Sequence, residues 1–318
     1  MSESVVAITG GTGFVGSHLV RRLVAEGHKV RLLVRSKAPD PELSSRSEVE
    51  LVYGDLDNLS ALRRLTEGAD TVIHLASKIS AKDRVEFSAV NVDGTRNLAA
   101  TAKAAGVGQF IFISSLAARE AHLSGYAASK KQAEQELITL TKYSEMPWVI
   151  VRPPAVYGPG DKATLPLLQA LTQKFAVLPG RAEARFSLIY VDDLVDAIAG
   201  LIGDEDTLGQ IIELDDGTPG GYDWPSLAKI AGEVHGQQVR PVFLPRTVAS
   251  AAAGAMELGA KIADTTPVLA RDKVHELYHI NWVCRNTRLQ TAGTWAPKTR
   301  FSEGFRKTVA WYRSEGWL

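Results

Sequence analysis

The chain has a single cysteine, Cys284, in 318 residues. An internal disulfide is excluded, as is a thiolate cluster built by one chain, and a reducing, cytoplasmic setting is expected. Charge of one sign is not in excess: 36 Lys plus Arg balance 36 Asp plus Glu. Such a chain carries no basic footprint for nucleic acid or an acidic membrane. Long apolar runs are missing too. The Ala-rich stretch Val248 to Ile262 comes nearest, but Glu257 and Lys261 interrupt it, so it reads as a packed helix rather than a membrane span. The first strand-like run begins within a few residues of Met1, which is expected to leave no room for a signal peptide. Repeats and low-complexity linkers are absent. What remains, 45% hydrophobic and 23% charged, suffices for one large domain or two smaller ones.

The organising stretch is Thr9-Gly10-Gly11-Thr12-Gly13-Phe14-Val15-Gly16. The apolar run Val5–Ile8 precedes it and an amphipathic run from Ser17 to Glu26 follows, so the order reads strand, glycine turn, helix. Glycines at 10, 13 and 16 permit left-handed backbone, close ligand approach and close helix–strand packing. The first amides of the helix carry partial positive charge, and a pyrophosphate can sit there. Glycine spacing alone is weak; its place on the first strand, with a second strand at the expected distance, is what points to dinucleotide binding.

That second strand is Lys29–Val34. An acidic residue at its end would bind a ribose 2′-hydroxyl and repel a 2′-phosphate. This chain has Arg35, then Ser36 and Lys37; a guanidinium pairs with phosphate through two hydrogen bonds, which favours NADP over NAD. A third strand, Leu51–Tyr53, runs into Gly54-Asp55-Leu56, with Asp55 and Leu56 expected near the adenine. A helix from Leu59 to Glu67 ends at Gly68. The fourth strand, Thr71–Ala76, is apolar enough to be buried on both faces, and small Ala76 and Ser77 let a cofactor pass over its end. A helix from Phe87 to Ala105, a fifth strand Gln109–Ile113, a helix from Gly125 to about Lys142 and a sixth strand Pro147–Arg152 continue the alternation. The pattern is that of an α/β, doubly wound parallel sheet with right-handed crossovers. Further on, Leu165–Lys174 reads as a helix, Phe186–Tyr190 and Gln210–Leu214 as strands returning to the sheet around a helix near Val191–Ile202, and Val242–Pro245 as a short strand.

Tyr126 and Lys130 are four residues apart and share a helix face. A tyrosine of ordinary pKa near ~10 is a poor acid or base at neutral pH, and an ammonium close by stabilises its phenolate. Such a tyrosine can exchange a proton with a carbonyl or alcohol oxygen, and Ser115, at the end of the fifth strand, can hydrogen-bond the same oxygen. The Tyr-x-x-x-Lys spacing by itself arises readily by chance; its position just after the fifth strand gives it weight.

These pieces together resemble the extended short-chain dehydrogenase/reductases of the epimerase/dehydratase superfamily. The resemblance rests on Thr9–Gly16, Gly54–Leu56, His74–Ala76, Asn91–Thr95, Ser114-Ser115, Tyr126–Lys130, Arg152–Gly160 and Tyr190–Asp193, in family order over residues 5 to about 200. Arg35 after Val34 resembles the dihydroflavonol-reductase and 3-beta-hydroxysteroid-dehydrogenase branch, as do Trp295-Ala296-Pro297 and Phe301–Trp311. The resemblance implies a Rossmann fold with a smaller C-terminal substrate lobe. The dinucleotide-binding domain would be residues 1–158 with 186–214, and the lobe 159–185 with 215–318. It implies Ser115, Tyr126 and Lys130 as catalytic residues, with lysine on the nicotinamide ribose and Pro153 to Val156 passing the nicotinamide. The full cofactor set expected is Gly10, Thr12, Gly13, Phe14, Val15, Gly16, Arg35, Asp55, Leu56, Leu75, Ala76, Ser77, Ser114, Tyr126, Lys130, Pro153 and Val156, with no metal. A small-molecule substrate and a homodimer are in keeping with the family.

Only ten residues separate Ser115 from Tyr126, where many extended members carry a longer insert; a silent, cofactor-bound scaffold is therefore an alternative to an NADP(H)-dependent secondary-alcohol/ketone oxidoreductase. A nucleotide-sugar epimerase or dehydratase is another, with Arg181 and Arg185 available for a diphosphate. The rival from a different chemistry is His275-Glu276-Leu277-Tyr278-His279, which matches the zinc-peptidase pattern. No further histidine follows His279, and Glu303 is the only glutamate at a plausible downstream distance for a third ligand. His74 reads as a packed strand residue.

Overall fold

Phe110-Ile111-Phe112-Ile113 and Val149-Ile150-Val151 are buried at every position, as strands covered on both faces must be. Helical segments separate such runs, and parallel pairing needs crossovers of that length. The computed structural model describes residues 4–35, 41–263, 265–267, 269–285, 289 and 294–318, with only the backbone of Pro41 and Glu42. Its internal contacts divide the chain into two compact units, one of Met1–Ala121, Gly125–Arg152 and Val195–Ile212, the other of His122–Ser124, Pro153–Leu194 and Glu213–Leu318. The expected division assigned 122–124, 153–158, 186–194 and 213–214 to the dinucleotide domain; by contacts they cluster with the second unit.

The first unit runs β1 (Val5–Thr9), α1 (Phe14–Ala25), β2 (Lys29–Val34), α2 (Pro41–Ser44), β3 (Val49–Tyr53), α3 (Leu59–Thr66), β4 (Thr71–His74), α4 (Arg84–Phe87), α5 (Gly94–Ala104), β5 (Gln109–Ile113), α6 (Gly125–Thr141) and β6 (Trp148–Arg152). With an edge strand, Gln210–Glu213, it forms a seven-stranded sheet in the order edge–β6–β5–β4–β1–β2–β3. The pairings of β1 to β6 are all parallel. The order reverses between β1 and β4, and in such sheets ligands bind beyond the carboxyl ends of the strands at that reversal. Leu62, Leu98, Phe110, Phe112, Leu137 and Ile150 centre the core, each fully buried side chain contributing about 1.5–3 kcal/mol.

One helix departs from expectation. The segment read as a single helix from Phe87 to Ala105 is α4, a π-helical turn over Ser88–Asp93, and then α5. Side-chain bonds from Asn91, described below, hold the wider turn.

In the second unit Ala155–Tyr157 pairs in parallel with Leu188–Tyr190, Phe175–Pro179 with Arg240–Leu244, and Arg185–Phe186 with Asn281–Trp282. The expected return of Phe186–Tyr190 to the main sheet is thus corrected. Ser187 divides the run into two short strands with different partners, and its hydroxyl donates to Asp215 at 2.7 Å. The helix expected from Leu165 to Lys174 is only α7 (Leu165–Ala170), because a strand begins at Phe175. α8 (Val191–Gly200), whose residues from Val195 on belong to the first unit, and α9 (Trp224–His235) follow. Tyr157, Tyr190, Trp224, Phe301, Phe305 and Tyr312 make an aromatic core. α10 (Arg246–Ile262) precedes α11 (Arg271–Leu277), and Phe301–Ser314 closes the chain as α12. The sequence suggests that the Ala-rich helix is packed. It is packed on one side only: Ala249 and Ala253 are its buried residues.

Candidate active site

The glycine turn joins β1 to α1 with little room to spare. Gly10 has φ +75°, and a Cβ there would lie 2.5 Å from the amide nitrogen of Ala76, just past β4. A Cβ on Gly16 would fall 2.1 Å from the carbonyl oxygen of Gly10. Gly13 differs: it is exposed, its added Cβ would meet only Gly10 O, at 3.2 Å, and its amide closes the turn on Gly10 O at 3.0 Å. Gly13 is the N-cap of α1, with no side-chain cap and no acid in the first turn. Among the described residues no side chain caps the leading amides of Phe14, Val15 and Gly16, which suits an anionic oxygen there. Thr12 is exposed beside them.

Beyond β4, Leu75, Ala76 and Ser77 are half-buried. Leu75 N donates to Thr9 O at 3.0 Å, which ties the strand end to β1. The hydroxyl of Ser77 is buried without a hydrogen-bond partner, an orphan of the kind that asks for a ligand. The open cradle at Gly13 and the orphan at Ser77 both fit a dinucleotide laid over the ends of β1 and β4.

The remaining expected cofactor residues behave unevenly. Arg35 is exposed directly after β2, where a 2′-phosphate would be met; Ser36 and Lys37 lie outside the described residues. Asp55 is exposed, and its carboxylate accepts from the amides of Asp57 at 3.1 Å and Asn58 at 3.0 Å; it holds its own turn. Leu56 is buried in the core, packed so closely that a Cβ on Gly94 would lie 2.6 Å from it. Ser114 donates its hydroxyl to Glu134 at 2.6 Å. Pro153 and Val156 belong to the second unit, Val156 in the strand Ala155–Tyr157.

The catalytic candidates all lie in the first unit. Ser115 is the N-cap of a 3-10 turn over Leu116–Glu120, its Oγ accepting from Ala117 N at 3.2 Å. Its hydroxyl hydrogen is not used in that bond and is available to donate. Tyr126 is half-buried near the start of α6, its ring 6.2 Å from that of Phe87. Lys130, one turn on, is fully buried; its Nζ donates to Ile113 O at 2.8 Å and lies 4.7 Å from the centroid of the Phe112 ring. Burial brings its pKa down to about 7, against the upward pull of Glu134 one further turn along.

Two networks hold this arrangement. Asn91 Oδ1 accepts from Lys78 N at 2.7 Å, while its Nδ2 donates to Lys78 O at 3.0 Å and to Ser129 Oγ at 2.9 Å. The segment after β4 is thereby clamped to α6 beside Lys130. The second network runs through His74, which bridges Thr9 Oγ1 at 2.6 Å and Thr95 Oγ1 at 2.9 Å. Thr95 already donates its hydroxyl proton to Asn91 O at 2.6 Å, so it accepts from Nε2–H of His74. Nδ1 then accepts from Thr9. Burial lowers the His74 pKa to about 3, which keeps this neutral tautomer throughout the working range. In the sequence Asn91–Thr95 stands out only as a shared motif; the helical pattern gives no sign that Asn91 faces inward at a π turn.

The zinc-peptidase pattern does not assemble. α11 ends at Leu277, before His279. Glu276, where a catalytic base would be, is buried, accepts from Ser124 Oγ, and pairs with Lys273 at 2.7 Å. Among the described residues no group of three or more His, Cys, Asp or Glu is placed to hold a metal. Arg185 is also spoken for: it donates to Gly220 O, Gly221 O and Asp223 at 3.0–3.2 Å. Arg181 lines an open cleft of the second unit with Arg246, His275 and His279.

The parallel sheet, its reversal and the glycine cradle define a Rossmann-type dinucleotide-binding protein. Residues 6–213 match the model of the NAD dependent epimerase/dehydratase family, and the chain belongs to that family. It is 40% identical to a ceramide reductase of Caulobacter vibrioides over 100% of this chain and 97% of that protein. It is 32% identical to a UDP-glucose 4-epimerase of Vibrio cholerae over 68% of this chain and 72% of that one. Among solved structures, the UDP-glucose 4-epimerase of Thermus thermophilus in complex with NAD superposes with a TM-score of 0.71 at 23% identity, covering 97% of this chain and 99% of that one. The protein is accordingly an NAD(P)-dependent oxidoreductase that uses a nicotinamide cofactor.

Proposed function

We propose that the chain is an NADP(H)-dependent reductase interconverting a ketone and a secondary alcohol on a ceramide-class lipid, through Ser115, Tyr126 and Lys130. The observation that carries the chemistry is α6 itself, which places half-buried Tyr126 one turn from a fully buried lysine. The substrate class is supported by the full-length relation to a ceramide reductase; the small organic substrate expected from sequence becomes an amphiphile.

In the reductive direction Tyr126 gives its phenolic proton to the carbonyl oxygen. Ser115 donates a hydrogen bond to the same oxygen, since its own lone pair already accepts from Ala117 N. The hydride that completes the alcohol would come from a nicotinamide held at the site. The ammonium of Lys130, fixed by Ile113 O, favours the phenolate that remains, and its other N–H groups are available to the ribose. The amides of Phe14 to Gly16 would hold the pyrophosphate and Arg35 the 2′-phosphate. An epimerase reading gains nothing from Arg185, whose guanidinium is bound to Asp223 and two carbonyls.

The test is titration with NADPH and NADH, wild type against Arg35→Ala, followed by turnover of Tyr126→Phe. Expected are tighter NADPH binding, loss of that preference in Arg35→Ala, and a fall in turnover of about 10²–10⁴-fold in Tyr126→Phe with NADPH affinity retained. Undiminished turnover by Tyr126→Phe would remove the mechanism. Equal affinity for both nucleotides in the wild type would remove the 2′-phosphate site.

A further inference from the structure

α10 has its apolar side turned outward. Its buried residues are the small Ala249 and Ala253, which rest on Val274 and Tyr278. Opposite them Val248, Ala251, Ala255, Leu258 and Ile262 are all exposed, the three large ones at 50%, 62% and 80%. At roughly 100° per residue these five share an arc of about 80°, and they run for about 21 Å along the axis. Lys261 falls on the flank, and Arg246 and Glu257 on the packed side, leaving the stripe without a charge. A surface helix ordinarily presents its polar side to water, and contiguous exposed apolar area marks a contact surface.

We propose that this face docks on the surface of a lipid bilayer, with α10 lying in the plane of the interface. The choice of occupant rests on the reading above: a ceramide-class substrate resides in a bilayer, so its reductase must work at one. Charge supports the same choice. Lys261 flanks the C-terminal end of the stripe beside Ile262, where a long basic side chain reaches a lipid phosphate while its neighbour buries. Glu257, the one acid of the helix, is already met by Arg271 at 3.6 Å. Among the described residues no helix is long and apolar enough to cross a membrane; α10 lies on the bilayer and does not span it.

The experiment is flotation with vesicles of mixed phosphatidylcholine and phosphatidylglycerol, comparing wild type with Val248→Ser/Leu258→Ser/Ile262→Ser. These side chains are largely solvent-exposed, so circular dichroism and NADPH affinity should match the wild type. The wild type should float, and the variant's partition coefficient should fall by roughly a hundredfold. Equal flotation of the two proteins, or a wild type that stays wholly with the soluble fraction, overturns the proposal. So does a wild-type dimer that the substitutions dissociate without any lipid binding. Turnover separates this proposal from the reading beneath it. A variant that reduces a soluble short-chain ketone normally but fails with the long-chain ketone in vesicles supports docking. Wild-type flotation without turnover of either ketone leaves docking standing and overturns the substrate reading.

Discussion

Glu134 is the most consequential charge in the first unit. It is fully buried on α6; Oε1 accepts from Ser114 Oγ at 2.6 Å and Arg152 Nε at 2.7 Å, and Oε2 accepts from Arg152 Nη2 at 2.5 Å. Arg152, at the end of β6, is itself only 9% exposed. Glu134→Leu takes from the buried guanidinium both of its bonds to the carboxylate and deprives Ser114 of its acceptor; breaking a buried pair in this way costs about 3–5 kcal/mol. Arg152→Leu leaves a buried carboxylate and should cost about as much. The double substitution removes both charges and their desolvation together, so its cost should be within about 1–2 kcal/mol of zero. The coupling energy from the cycle is then at least about 3 kcal/mol, favouring the pair. Because the chain has two units and need not unfold in one step, urea denaturation by circular dichroism should be joined to amide hydrogen exchange in α6 and β6. Additivity, with the double variant losing the sum of the two single losses, would refute the argument. It would mean that each side chain contributes packing alone.

Two further predictions test the cradle and the lysine. Gly16→Ala puts a Cβ 2.1 Å from Gly10 O; α1 must shift, costing about 1–3 kcal/mol, and NADPH affinity measured by nicotinamide fluorescence should fall at least about tenfold, whereas unchanged affinity would show that the turn is not the phosphate cradle. Lys130 has a folded pKa of about 7 against an ordinary 10.5, so between those values the unfolded chain binds the extra proton and stability from this group rises with pH. The full penalty applies below about pH 7. Lys130→Met removes it, and the stability difference between variant and wild type, read from denaturation midpoints without nucleotide, should change by roughly 4 kcal/mol between pH 7 and 10; a pH-independent difference would show that burial does not depress this lysine.

The elements legible in the sequence are those with a local physical cause. The run from Val5 to Gly16 announces strand, turn and helix because apolar period and glycine placement agree, and the structure adds the reason for Gly10 and Gly16: backbone lies within 3 Å of where a side chain would begin. Strand β5 appears where a continuous apolar run places it. The illegible features depend on partners far along the chain. The sequence does not show that the Asp55 carboxylate also accepts from the amides of Asp57 and Asn58. Ser114 and Ser115 are adjacent and chemically identical, yet β5 sends one hydroxyl to Glu134 and leaves the other capping a 3-10 turn. Nothing in the pair Ser-Ser says which is which. Leu188–Tyr190 carries a strand pattern, but pattern cannot say that its partner is Ala155–Tyr157 rather than the central sheet. The outward apolar face of α10 is hidden for a similar reason, since an Ala-rich helix reads as packed until its neighbours are known.

Fold and chemistry meet along one stripe of α6. Tyr126, Lys130 and Glu134 follow one another at helical spacing of four, so they share a face. At one end Glu134 locks the helix to Ser114 and Arg152. Its charge also opposes the desolvation of Lys130. Were the carboxylate absent, burial would act unopposed and the lysine would fall below about 7, losing its ammonium at neutral pH. The phenolate of Tyr126 would then lack the charge that favours it. The stabilising pair and the proton-transfer residue are therefore linked through Lys130: Glu134→Leu should lower activity near neutral pH, and assays at more acidic pH, where the lysine is again protonated, should recover part of the loss. Recovery at alkaline rather than acidic pH would contradict the sign of that linkage.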